Sequence, residues 1–271
     1  MHCSTLAVAV RIVHGVPEMA GLDLTHIIMA LLVTLASGVI KGAIGFAMPM
    51  IMMSAFSAFL PAQVALALLI PSVLITNIQQ AGRDGMGPFV QTVRDYRWHI
   101  GAVMIFIFVS APFATVIPQG VMYLALGIPI LAFALWQMSG RPLIIPVHHR
   151  RRAEVVTGIV GGLYGGISGI WGPPLIVYLL SVGASKLEQI RVQGVVFLIG
   201  AATLAVAHLT SGVLNAQTIP LALLMVIPAV LGMQLGYVLQ GRLDLAQFRR
   251  WTLILLVLTA LNLIRQGFEV I

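Results

Sequence analysis

The chain has 271 residues, of which 59% are hydrophobic and 8% charged, with a formal net charge of +7 and a mean hydropathy of +1.03. A soluble domain carries about 25% charged residues, so the composition excludes one and points to an all-α, polytopic membrane protein. The single cysteine, Cys3, excludes a disulfide framework and most cysteine metal sites. The basic residues sit in short loops, where they set topology, and no basic stretch interleaves with aromatics as in a nucleic-acid surface.

Residues 1–23 read as a lead-in, unstructured or amphipathic. The stretch Met1–Gly15 lacks the basic region that precedes the apolar core of a cleaved signal peptide. Apolar segments then fall near 24–57, 62–80, 98–117, 119–139, 155–183, 189–210, 216–239 and 250–267. Most of the charge lies in the gaps between them or at their edges, and the tract His148-His149-Arg150-Arg151-Arg152 divides four segments from four. This gives a first transmembrane repeat over 24–140, a basic cytoplasmic linker over 141–154 and a second repeat over 155–271.

The division is supported by a motif. Gly38, Gly42, Gly45 and Pro49 recur as Gly162, Gly166, Gly169 and Pro173, each 124 positions later. Glycine and proline interrupt a helix at membrane depth, and an interruption repeated in two halves marks a transporter's substrate site. The competing reading is that these glycines only allow helices to pack closely, as small residues do in membranes.

Charge fixes the expected orientation. Eight full spans would place Lys186, Arg191, Arg242, Arg249 and Arg250 opposite Arg83, Arg94, Arg97, Arg141 and Arg150–Arg152. If 24–57 and 155–183 are instead re-entrant, all twelve face one compartment, leaving only Arg11, Lys41 and Arg265 of the fifteen. The positive-inside rule favours the second arrangement. The expected fold is two inverted repeats, each a broken, re-entrant helical hairpin plus three transmembrane helices. The first arm, taken as 156–167, is about 18 Å long, which puts the break at Ser168–Pro174 near the midplane. Both chain ends, Ile271 included, then lie outside.

A helix that restarts after a break offers unpaired backbone N–H groups and a positive dipole end to anions. Lys41 is the one charge in the interior of an apolar segment, away from its edges, and adjoins the first break; it supplies positive charge to a substrate, offsets the carbonyl end of its helix, or snorkels to an interface. Asn77, Gln79, Gln80 and Gln193 either line a polar path or bond helix to helix, and Trp171 either bounds the site or fills a packing gap. The candidate substrate site is therefore Lys41, Gly42, Gly45, Phe46, Pro49 and Asn77 with Gly166, Ser168, Gly169, Trp171 and Pro173.

All eight acidic residues lie at segment edges, in loops or in tails, so a cation substrate lacks its usual intramembrane carboxylate. His208 sits inside the sixth segment, as a proton carrier or as a buried neutral side chain. Trp98, Trp136 and Trp251 read as interface anchors. No intramembrane cluster of Cys, His, Asp and Glu is available for catalysis or metal binding, so an enzyme is the weakest reading, and no cofactor or metal is expected.

The stretches Gly38-Val-Ile-Lys-Gly-Ala-Ile-Gly-Phe-Ala-Met-Pro and Gly161-Gly-Leu-Tyr-Gly-Gly-Ile-Ser-Gly-Ile-Trp-Gly-Pro-Pro resemble the duplicated glycine-rich signature of the sulfite exporter TauE/SafE family, as does the ending Leu243–Leu263. The resemblance implies transport of sulfite, sulfonates such as sulfoacetate, or small carboxylates. The resulting expectation is a multi-pass secondary transporter of the cell membrane, working by alternating access as an exporter of small anions. An anion channel is the alternative. The expected partners are the anion and the bilayer, and a homo-oligomer is left open.

Overall fold

A computed structural model describes residues 23–56, 59–115, 118–140, 145–146, 149–210 and 213–270. Of the expected lead-in over residues 1–23, all but Asp23 lies outside the described residues, Cys3 and Arg11 included, as do Arg141, His148 and Ile271. The described chain is helical throughout: α1 Leu24–Ile44, α2 Met48–Phe56, α3 Ala62–Gly82, α4 Met86–Asp95, α5 Arg97–Ser110, α6 Gln119–Met138, α7 Arg150–Ser168, α8 Gly172–Ser181, α9 Lys186–Thr210, α10 Ile219–Leu224, α11 Val226–Arg242 and α12 Leu245–Val270. A 3-10 turn, Ala111–Thr115, continues α5. With α10 and α11 taken as one, five helices among the described residues are long and apolar enough to cross a membrane, or six if α4 and α5, bent by 77°, form one span.

The expected segments are present, with two differences. The gap from Arg83 to Arg97 holds a helix, α4, whose Met86 and Val90 are exposed. The first arms are also longer than expected. α7 has 19 residues because it starts at Arg150 inside the basic linker, and α1 has 21. At 1.5 Å per residue these are about 28 and 32 Å, and α1 alone is long enough to span a membrane. The short arms are α2 and α8, with 9 and 10 residues.

Both breaks are narrower than expected and occupy equivalent positions, Gly45-Phe46-Ala47 and Gly169-Ile170-Trp171. Each begins with a left-handed glycine, Gly45 at φ 95° and Gly169 at φ 71°. Their N–H groups donate to Lys41 O at 2.6 Å and Gly165 O at 2.9 Å, closing each helix as a left-handed C-cap does.

Packing exchanges elements between the halves. α1 lies along α11, and its equivalent α7 lies along α5, the equivalent of α11. The first two glycines of each motif make these contacts. A Cβ on Gly38 would lie 2.6 Å from Ala229 O, and one on Gly162 would lie 2.8 Å from Val103 O. Gly42 is closed in by Met233 and Gly236, and Gly166 by Ile107 and Ser110. Small residues let backbones approach where lipid offers no hydrophobic drive to association. Equivalent helices also pair with each other, and they run antiparallel. In α3–α9, the amide of Gln80 meets Ile190 O while Leu66 and Leu204 meet at Gly169. In α6–α12, Gly120 lies by Gly267, Gly127 by Ala260, and Gln137 by Arg249.

Candidate functional site

The two breaks face one small cavity of about 20 Å³, room for roughly one water molecule. The first half supplies Lys41, Phe46, Ala47, Pro49, Met50, Val73 and Asn77, and the second supplies Gly169, Ile170, Trp171, Gly172 and Phe197. Most of this wall is apolar, and its charge comes from one residue.

Lys41 sits in the last turn of α1, where the helix face turned toward α3 is fully covered by protein. At 1% exposure it does not snorkel. Its Nζ donates to Thr76 Oγ1 at 2.9 Å and to Asn77 Oδ1. An ammonium has three donors, so these two bonds leave one. Among the described residues Lys41 makes no ion pair. Because Lys41 can only donate, Asn77 must present its oxygen to it, and Asn77 Nδ2 is left buried without a partner. Trp171 Nε1 is likewise buried and unpartnered. Three residues of the wall thus carry a spare donor, Lys41, Asn77 and Trp171, the indole N–H lying beside Gly200, and the wall's one side-chain acceptor, Asn77 Oδ1, is already taken.

The backbone contributes less than expected. α2 restarts with Met48-Pro49, and α8 with Gly172-Pro173-Pro174. Proline pre-sets the helical φ but has no N–H. The second helix start therefore offers the N–H of Gly172 and then two positions without a donor.

Of the expected site residues, the structure brings Lys41, Phe46, Pro49, Asn77, Gly169 and Trp171 to the cavity wall. Gly42 and Gly166 do not line it; they pack α1 on α11 and α7 on α5. Gly45 faces the side-chain amides of Gln80 and Gln193 instead. Pro173 is buried in the first turn of α8 away from the wall. Ser168 ends α7, and its side chain lies outside what the structure describes. His208 is buried near the end of α9 and is not in the wall. Trp98, Trp136 and Trp251 are all exposed, and Trp98 is covered by the guanidinium groups of Arg97 and Arg151.

The sequence reading missed Thr76, although it directly precedes Asn77, and Phe197, which follows Gln193 by one turn of α9. It also missed Ala47, Met50, Val73, Ile170 and Gly172, apolar or small positions that carry no chemical signal.

A family model described as Sulfite exporter TauE/SafE matches residues 30–263, a stretch that holds both breaks and every residue of the cavity wall. The chain belongs to the TauE/SafE family. No curated protein and no solved structure matches it. TauE/SafE proteins are membrane transporters, and the helices of spanning length found here fit a multi-pass member of that family.

Proposed function

We propose that this protein is a secondary transporter that carries a small anion, sulfur-containing or carboxylate, through the cavity between its two breaks. One observation carries the reading: a fully buried lysine without a carboxylate partner stands in a cavity whose free polar side-chain atoms are donors. A cation would need acceptors or a negative charge there. An anion suits a wall with spare donors and no spare acceptor, and charge-assisted bonds in a dry site are the stronger ones.

Alternating access by two inverted repeats is part of the proposal. The antiparallel pairing of α3 with α9 and α6 with α12 supports it, because equivalent helices of inverted repeats run in opposite directions. The twelve basic residues then face the cytoplasm across the cell membrane, and the family description favours export. Transport, rather than catalysis, is the activity this cavity serves.

The test is ligand-induced stabilisation of purified protein. Sulfite, methanesulfonate, sulfoacetate and acetate are compared with uncharged dimethyl sulfone and with choline. The reading expects at least one anion to raise the melting temperature saturably while sulfone and choline leave it unchanged. Stabilisation by choline, or by none of the anions, overturns it.

A further inference from the structure

Beyond the cavity, on the α3–α9 seam, lies a second polar cluster that the substrate site does not use. Val73, Asn77 and Phe197 line the cavity. One turn further toward Arg83 and Lys186 stand Gln80 and Gln193, 3% and 0% exposed. Their amides meet at Gly45, where a Cβ would lie 3.3 Å from Gln80 Nε2 and would collide with Gln193 Oε1. The other end of the same seam, at Gly169, carries Leu66 and Leu204 and no polar side chain in those places. The antiparallel pair is thus polar at its basic end and apolar at the other.

Gln80 ties three elements together. Its Nε2 donates to Gly45 O at 3.2 Å and to Ile190 O at 2.9 Å, joining α3 to the first break and to α9. These two carbonyls fix its orientation, so the atom left over is Oε1, buried and unpartnered. Gln193 has neither amide atom bonded. A buried polar group without a partner forfeits its hydration and gains nothing in return. Three such atoms at one spot call for partners, which water or another arrangement of the chain would supply. Gly194 seals the seam beside them, with room for no Cβ between it and Ala81 N.

We propose that Gln80 and Gln193 form the gate between the anion cavity and the basic end of the molecule, and that Gln193 contacts the anion as it passes. The inference rests on the anion reading of the cavity only for what passes, not for the existence of the gate. As drawn, the gate is shut by the two bonds of Gln80 and the contact at Gly194. When α3 and α9 part at this end, Gln80 releases both carbonyls, and the two amides turn to water or to the anion. A neutral amide N–H bonds an anionic oxygen without a full charge, so it holds the anion more weakly than Lys41 does and lets it leave. Arg83 and Lys186 stand next along the route; they are held by Gln240 Oε1 at 2.6 Å and by the carbonyls of Gln240 and Leu243.

The test uses full-length protein in a Cys3→Ser background, in vesicles of either orientation, with Arg151→Cys marking the basic side. Gln193→Cys is exposed to an impermeant, anionic methanethiosulfonate reagent. Labelling is expected from the Arg151 side and not from the other, while Leu204→Cys is not labelled from the Arg151 side. Should Gln193→Cys fail to fold, Gln80→Cys gives the same readout. Protection of the cysteine from both sides, or labelling from the opposite side, overturns the gate. No substrate is needed, so this result stands apart from the anion reading, which the Lys41→Gln affinity tests separately. Gln193→Leu adds a functional arm. It is expected to slow sulfoacetate flux at least tenfold while the equilibrium affinity changes by less than threefold; wild-type flux in that variant also overturns the proposal.

Discussion

The two breaks share a backbone and differ in almost every side chain around it. Each starts with a left-handed glycine three residues before a new helix, and the helix before each break is packed through glycines at the same motif positions. Around the first, Lys41 reaches Thr76 and Asn77, and Gly45 faces two glutamines. Around the second, the positions equivalent to Lys41, Thr76 and Asn77 are Gly165, Gly200 and Ala201, and Gly169 faces two leucines. The room left by Gly165 and Gly200 is taken by Trp171, whose own equivalent is Ala47. One half places its large side chain on the helix before the break, the other on the break itself. Packing has stayed symmetric, while the buried charge and its two hydrogen-bond partners belong to the first half.

The symmetric part breaks with the largest effect. Gly42→Val and Gly166→Val each push a branched side chain into the backbone of a neighbouring helix, at Met233 and at Ile107. Both should abolish folded, monodisperse protein on size-exclusion chromatography, and to the same degree. A folded variant in one half only would show that the halves are not equivalent in packing.

The glycines at the breaks sharpen the contrast. Gly45→Ala and Gly169→Ala both place an L-residue in the left-handed region, at about 1–2 kcal/mol. The new methyl at 45 also drives into the amide of Gln193, whereas at 169 it meets only Leu66 Cδ1 at 3.2 Å, the end of a flexible side chain. Thermal melting should therefore fall further for Gly45→Ala. Equal losses would place the cost in the backbone alone.

Trp171→Phe keeps most of the ring and removes the unpartnered N–H. Loss of one neutral donor, about 0.5–1.5 kcal/mol, should weaken anion affinity roughly twofold to tenfold in calorimetry. Unchanged affinity would reduce Trp171 to a space-filler. The smallest effect is expected at Ala47, the non-glycine residue with a positive φ among those described, at 77°. Ala47→Gly relieves that conformation but adds chain entropy, and should raise stability by no more than about 1 kcal/mol. A fall in melting temperature would mean that the methyl packs usefully against the cavity.

Much of this was legible in the sequence because it is periodic. Hydropathy placed the helices, and the glycine motif placed both breaks to within three residues. The motif merged two functions that only the structure separates: Gly42 and Gly166 pack helices, while Gly45 and Gly169 turn the chain. Lys41 stood out as an isolated charge in an apolar segment. Its partner Thr76 did not, because a threonine in a helix carries no sign of what lies 35 residues away. The apolar wall was invisible for the same reason: Val73 and Phe197 look like any other core residue until the helices are brought together. α4 was read as a loop because its charges outweighed its amphipathic pattern.

The central claim is that Lys41 makes the first half the anion-binding half. Anion affinity of folded wild-type and Lys41→Gln protein, measured by calorimetry with sulfoacetate, tests it most directly. Glutamine keeps a polar stem and can still meet Thr76 and Asn77, but it carries no charge. Loss of a charge-assisted bond worth about 1.4–3 kcal/mol should weaken binding roughly tenfold to 150-fold, with Lys41→Arg intermediate because its planar fork does not match an ammonium's site. Equal affinity in wild type and Lys41→Gln would contradict the account and leave the cavity without its defining charge.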